Sequence, residues 1–260
     1  MALREYHRPK EPKSASQLLR RTQPITKAIY LSPRPSALHN RKWEAAVDLS
    51  NLGLDRIQTE SDGSVRIGVL TPLQDIVDAQ HLKQYAGGLL PKCAHIAGHL
   101  GLRNVANIGG VLTTEKGAPE LRLALLALDA RHISTDGFIT ELRLPAQTLL
   151  TSLHRVARTP LDEAIVAVAV ALRREDNIVT QARVAVSGIS STPVRIETSE
   201  EILTSQALTP SLIDKAAAAT VSAADHTYDD YRGSSEYRRE MACLLTRRAV
   251  ETAWQREFKT

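Results

Sequence analysis

The chain has 260 residues, enough for roughly two compact units that can each bury a core. Hydrophobic residues make up 43% and charged residues 24%, which excludes disordered, collagen-like and membrane-spanning classes. The net charge of +4 comes from Lys and Arg scattered among acids, and aromatics are only 4%, which argues against a nucleic-acid stacking platform.

From the N-terminus, residues 16–21 read as helical and 27–31 as a short strand. Pro33 and Pro35 make 32–40 a loop, and 46–49 is the next strand. Asp62-Gly63 is a turn before a strand over 65–70. Thr71-Pro72 has the form of an N-cap followed by proline at the first helical position, opening a helix through Ala79. A helix over 90–100 leads to a glycine-containing loop over 102–114, and then to a helix over 119–128. Asp136-Gly137 is a turn before a strand over 139–144. Residues 164–172 alternate Val and Ala, so Val166, Val168 and Val170 share one face of a strand. With the charged turn 173–177 and a strand over 178–187 they form an antiparallel hairpin. Thr209-Pro210 opens another helix, and the last helix starts near Ser234 or Ser235. In that helix Tyr237, Met241, Leu244 and Leu245 give one apolar face. A boundary at 145–151 divides the chain into domains 1–145 and 151–260.

Cys93 and Cys243 form no Cys-x-x-Cys pair, so neither a disulfide framework nor an iron–sulfur cluster held by this chain alone is expected. No apolar leader opens the sequence and no stretch has the length of a membrane span, which makes the reducing cytoplasm the expected location. His95 and His99 are spaced i, i+4 near Cys93, but no third ligand accompanies them, and helix-surface histidines are the plain reading. Arg238-Arg239 and Arg247-Arg248 interleave with Glu236, Glu240 and Glu251, as on a salt-bridged helix face. Asp229-Asp230 reads as a solvated loop, and Ser187 and Ser190-Ser191 lack the His and Asp of a triad.

The most informative segment is 102–114. Gly109-Gly110 lets backbone N–H groups approach a phosphate, Thr113 and Thr114 offer hydroxyls, and a helix start at Pro119 favours an anion. Taken alone, a glycine pair is more often only a turn.

Ordered motifs then run along nearly the whole chain: Glu5-Tyr6-His7-Arg8-Pro9, Asp62-Gly63-Ser64-Val65-Arg66-Ile67-Gly68, Leu70-Thr71-Pro72-Leu73, Leu102-Arg103-Asn104 with Ile108-Gly109-Gly110, Leu161-Asp162-Glu163-Ala164-Ile165-Val166, and Ser235-Glu236-Tyr237-Arg238-Arg239 with Leu245-Thr246-Arg247-Arg248-Ala249. In this order they resemble the FAD-binding medium subunit of molybdenum hydroxylases, of the carbon monoxide dehydrogenase and xanthine dehydrogenase type. The resemblance implies an α+β fold: a two-lobed PCMH-type FAD-binding domain (two α/β lobes), followed by a CO dehydrogenase flavoprotein-like C-terminal domain of antiparallel sheet plus helices. It implies an FAD-bearing electron-transfer subunit of an oxidoreductase. The implied partners are an iron–sulfur small subunit and a molybdenum-cofactor large subunit, with no nucleic acid and no membrane. No catalytic or metal-ligating residue is implied. The implied cofactor contacts are Ile108, Gly109, Gly110, Leu112, Thr113, Thr114, Glu120 and Arg155.

The chain also departs from the family pattern. The first flavin loop, Ala-Gly-Gly-Thr-Asp in the family, is Ser32-Pro33-Arg34-Pro35-Ser36 here, without its glycines and with fewer N–H donors. Arg34 offers a charge in their place. Val111 stands where the family has Asn, Glu120 represents its acidic residue, and Arg155 stands where Lys is common. Residues 131–144 are shorter than the pattern and lack one strand and a lid-like segment. The rival reading is a flavin-free paralogue kept as a structural or assembly subunit.

Overall fold

The computed structural model describes residues 3–30, 43–114, 117–135, 137–160, 162–224 and 229–256. Thus the 32–36 loop, and Asp136 of the expected turn, lie outside the described residues. In chain order the elements run β1 (Glu5–His7), α1 (Pro12–Leu19), β2 (Thr26–Ile29), β3 (Ala45–Asp48), β4 (Ile57–Thr59), β5 (Val65–Gly68), α2 (Leu73–Asp78), α3 (Gln80–Gln84) and α4 (Leu89–Ile96). There follow α5 (Leu100–Arg103), α6 (Ile108–Thr113), α7 (Pro119–Ala127), β6 (Arg131–Thr135), β7 (Phe138–Leu144), β8 (Leu150–Val156), β9 (Val166–Glu175) and β10 (Ile178–Ser187). The chain closes with β11 (Val194–Arg195), α8 (Glu197–Leu203), β12 (Gln206–Ala207), α9 (Pro210–Ser222) and α10 (Ser235–Gln255).

These elements form two compact units that interleave in sequence. One comprises Met1–Asp78, Gly98–Gly117 and Ala130–Ala146; the other comprises Ala79–Ala97, Ala118–Asp129 and Gln147–Thr260.

The first unit holds two sheets. Strands β1-β3-β2 form a parallel sheet, with Tyr6 opposite Ala46 and Ala28 opposite Val47. Its central strand is fully buried at Ala45, Ala46 and Val47, as a parallel strand covered on both faces requires. Val47 and Leu49 join Ala15 of α1 and Phe138 of β7 in one small core. Strands β4-β5-β7-β6 form an antiparallel sheet, with Val65 opposite Leu144. The β6–β7 pair occupies 131–144, where the sequence reads as one strand short. Thr71 does not cap α2; its hydroxyl is fully buried and has no hydrogen-bond partner among the described residues. The Leu73 N–H goes instead to the Ala106 carbonyl at 2.9 Å, and Pro72 bridges Asn107.

The expected loop over 102–114 holds the end of one short helix, α5, and the whole of another, α6. The side chain of His99 accepts from the Leu102 N–H at 3.3 Å and opens α5. The side chain of Asn107 accepts from the Gly110 N–H at 2.9 Å and opens α6. Both are caps that supply acceptors for otherwise unpaired N–H groups. The expected helix over 90–100 accordingly stops at Ile96, and His95 and His99 sit on separate helices rather than on one face.

The second unit is built on a sheet of order β11-β10-β9-β8, with β12 also paired to β10. The Val-Ala alternation gives the expected hairpin: Val168 faces Val186 and Val170 faces Val184 across an antiparallel pair. β9 runs on to Glu175, so the turn is only Asp176-Asn177, with Asp176 at φ 51°. Val166, Val168 and Val170 pack with Ala242, Leu245, Ala249 and Val250 of α10. Full burial of each such Val is worth about 1.5–3 kcal/mol. Ala167, Ala169 and Ala171 on the other face are also fully buried, and α7 packs against β9 and β10. Thr209 caps α9 as expected, and Ser234 caps α10 at the expected helix start, each accepting an N–H at 3.2 Å.

The start of α10 is tied down by Arg238, which is 1% exposed. Its guanidinium donates to the carbonyls of Ile165 (2.7 Å), Gly188 (3.0 Å) and Gly233 (3.0 Å) and to Asp230 (2.5 Å). Gly188 is at φ +86°, and a Cβ there would stand 2.0 Å from the Ile165 oxygen, so only glycine fits. Asp230 is therefore no solvated loop residue. Burial pushes its carboxyl up, but Arg232 and Arg238 outweigh that and hold it at about 2.

Candidate cofactor site

The parallel sheet of the first unit directs the site. Ligands in open α/β sheets bind beyond the carboxyl ends of the strands. At the end of β2 stands Tyr30, whose hydroxyl donates to the Ile139 carbonyl at 3.0 Å, and burial pushes its phenol up to about 12. Its ring lies on Gly109: a Cβ on that residue would be 2.4 Å from Tyr30 Cδ1 and 2.9 Å from the Val69 oxygen. Gly109 is helical, so the glycine is required by close approach and not by backbone conformation.

The N-terminal turn of α6 is pinned to the end of β5. The Ile108 N–H donates to the Thr71 carbonyl at 3.2 Å, and the Gly109 N–H to the Val69 carbonyl at 2.7 Å. The Gly110 N–H is held by Asn107. The hydroxyls of Thr113 and Thr114 donate to the Gly109 and Gly110 carbonyls at 2.8 and 2.6 Å. The donors expected to face a phosphate are thus turned toward protein acceptors. Leu112 lies half-buried on the same helix and Val111 is buried. Arg103, also in this region, is structural: it donates to Gln74 at 2.9 Å and to the Gly98 carbonyl at 2.5 Å.

Glu120 and Arg155 belong to the second unit. Glu120 is buried in the first turn of α7, and Arg155 on β8 donates to it at 2.9 Å. Arg155 also donates to the carbonyls of Pro160, at 2.9 Å, and Asp162. An arginine that bonds a carboxylate and two carbonyls fixes the loop after β8 as well as the acid. Cys93, fully buried near Glu120, has its thiol pushed up by burial and then by that carboxylate.

Two observations test whether these residues suit FAD. The end of β2, just before the segment that resembles the family's first flavin loop, rests through Tyr30 on Gly109 of the second. Beside the start of α6 stands the Thr71 hydroxyl, buried without a partner. A buried unmatched hydroxyl costs about 1–3 kcal/mol, which a polar ligand can relieve. The arrangement fits a dinucleotide in position, with donors other than the Ile108, Gly109 and Gly110 N–H groups. Sequence reasoning missed Tyr30, Thr71 and Asn107. Of these only Asn107 carried a readable signal, an N-capping side chain directly before Ile-Gly-Gly.

Comparison with known proteins gives the family. Residues 2–172 match the family model of the FAD-binding domain in molybdopterin dehydrogenase, and 152–253 match that of the CO dehydrogenase flavoprotein C-terminal domain. The carbon monoxide dehydrogenase medium chain of Hydrogenophaga pseudoflava is 26% identical over 97% of both chains. The 6-hydroxypseudooxynicotine dehydrogenase complex subunit alpha of Paenarthrobacter nicotinovorans is 30% identical over 82% of this chain and 81% of that one. The glyceraldehyde dehydrogenase medium chain of Sulfolobus acidocaldarius is 27% identical over 79% and 81%. In fold, the chain superposes on reconstituted CO dehydrogenase from Oligotropha carboxidovorans with a TM-score of 0.85, at 23% identity over 97% and 98% of the two chains. Nothing in the fold or in these likenesses favours a flavin-free structural role. The chain belongs to the family of FAD-binding domains of molybdopterin dehydrogenases, and is of its FAD-binding medium-subunit type, with the CO dehydrogenase flavoprotein domain at its C-terminal end.

Proposed function

We propose that the chain is the electron-transfer subunit of a cytoplasmic molybdenum hydroxylase-type complex, working between a molybdenum-cofactor large subunit, an iron–sulfur small subunit and an external acceptor. Its relatives are named as medium chains or as a subunit of a dehydrogenase complex, which supports the assembly. Its own two cysteines are too few to ligate an iron–sulfur cluster alone, which supports a separate iron–sulfur partner. Among the described residues no helix is long and apolar enough to cross a membrane.

Bound FAD supplies the redox chemistry, and the protein supplies placement and surroundings. We assign that task to Ile108, Gly109, Gly110, Leu112, Thr113 and Thr114 of the first unit, in a chain of domains 1–145 and 151–260. The observation that carries the assignment is the closure of Tyr30 on Gly109 at the end of β2. In this reading Ile108 and Gly109 anchor α6 through their N–H groups, and Gly110 lets the cofactor come close to backbone. In the second unit Arg155 holds Glu120 in place through its hydrogen bond.

The test is titration of FAD into the full-length protein and into Gly110→Val. The wild type binds, and the variant loses at least about tenfold in affinity. Unchanged affinity in the variant would remove α6 from the site. A wild type that binds no FAD at all would sink the functional reading itself.

A further inference from the structure

The basic residues of α10 do not all have acidic partners. Arg247 pairs with Asp214 at 2.8 Å and Arg238 with Asp230 at 2.5 Å. Arg248 has no ion pair among the described residues, and neither do Lys92 and Arg256. These three cations belong to one unit and converge there. Arg248, Thr252 and Arg256 fall at i, i+4 and i+8, on one face of α10 and its C-cap. Thr252 Oγ1 lies 2.9 Å from His154 Nε2, which ties that face to β8 at the edge of the sheet. The Arg256 guanidinium reaches the turn before α4: its Nη1 is 3.2 Å from where a Cβ on Gly87 would stand. Thr151 of β8 holds the same turn through the Ala86 carbonyl at 2.6 Å. Gly88 then caps α4, whose first turn carries Lys92.

The half-buried His154 senses this crowd. Burial lowers its pKa, and the charges of Lys92, Arg248 and Arg256 lower it further, with no acid opposing them. Three like charges gathered with no counterion among the described residues repel one another, so the arrangement is unfavourable there.

We propose that Lys92, His154, Arg248, Thr252 and Arg256 form a docking surface for an acidic segment of a partner protein chain. Charge complementarity sets the chemistry: carboxylates would neutralise three unpaired cations and accept from Thr252. Openness sets the size, because Lys92 and Arg248 are exposed, as an extended partner segment requires and a small-anion pocket does not. The surface rests on the reading of this chain as one subunit of a complex.

The probe is a fluorescent poly-L-glutamate peptide titrated into the full-length protein. Anisotropy reports affinity, and NMR of the His154 ring reports the site. The peptide binds, the His154 titration midpoint moves up, and Arg248→Gln/Arg256→Gln weakens binding about tenfold. The charge-matched control Lys13→Gln/Lys27→Gln leaves it unchanged. A His154 midpoint that ignores the peptide, or an equal loss in the control, overturns the proposal. So does inorganic pyrophosphate binding at His154 more tightly than the peptide, which would make this a small-anion site. FAD affinity is measured in the same variants and stays at the wild-type value. Failed docking with intact FAD binding therefore refutes this surface alone, and failed FAD binding in the wild type refutes the functional reading.

Discussion

Replacing Gly109 with alanine probes the contact on which the cofactor site is built. The new Cβ would stand 2.4 Å from Tyr30 Cδ1 and 2.9 Å from the Val69 oxygen. Carbon atoms pack at about 3.5–4.0 Å, so the ring must move by about 1 Å or more. The ring is held by the Tyr30–Ile139 hydrogen bond at 3.0 Å, whose loss costs about 1 kcal/mol. The Val69 oxygen is less free to retreat, because it accepts from the Gly109 N–H at 2.7 Å. Overpacking of this kind costs about 1–3 kcal/mol, and the gain from alanine in a helix returns up to about 1 kcal/mol. A net destabilisation of about 1–3 kcal/mol results, which lowers Tm by about 5 °C in a protein of this size. Urea unfolding and thermal melts of the four proteins of a Gly109→Ala/Tyr30→Ala cycle measure it. In the Tyr30→Ala background only the Val69 clash remains, so the second substitution must cost less there than in the wild type. A Gly109→Ala protein as stable as wild type, or two substitutions that simply add, would refute the packing of Tyr30 on the glycine pair.

Arg238→Ala strands four acceptors, including the Asp230 carboxylate, and should cost about 3–5 kcal/mol in urea unfolding. A cost below about 1 kcal/mol would mean that water replaces the guanidinium. Asp230 sits at about 2 against an ordinary 3.8, a depressed folded-state value. Its stabilisation, at most about 2 kcal/mol, is therefore present above about pH 4 and lost as pH falls toward about 2. Asp230→Asn should flatten that limb of the stability–pH curve, and an unchanged limb would assign it to other groups such as Asp48, also held at about 2. Of the two cysteines, Cys243 is part-exposed and Cys93 buried, so a thiol reagent should modify Cys243 in the native protein and Cys93 only on unfolding. Equal rates for both thiols would contradict the packing around α4.

Long-range order in the second unit was legible because its strongest pattern is local and repeated. Alternating Val and Ala over 166–171, closed by a charged turn, left only a hairpin with one large face and one small face. The cap at Thr209 and the helix start at Ser234 were legible because both are local signals. Thr71 shows where such reasoning fails. Thr-Pro has the form of a cap, yet the Leu73 N–H is claimed by Ala106 from another segment, and tertiary contacts outrank the local option. The split of 90–100 and the helix at 108–113 turn on single side chains, His99 and Asn107, that a periodicity reading passes over. β8 was missed because the mixed stretch Leu150–Val156 has no clean alternation and its partner lies ten residues on in sequence. In the candidate site, the glycines were legible as an opening for a ligand. Their real constraint, a tyrosine 79 positions earlier in the sequence, exists only in three dimensions.

Whether this chain carries FAD is read most directly from the flavin content of the full-length protein purified from its host. The protein should show flavin absorbance, release FAD on denaturation in stoichiometric amount, and rebind it when the stripped protein is titrated. A colourless protein that takes up no FAD in that titration would contradict the account.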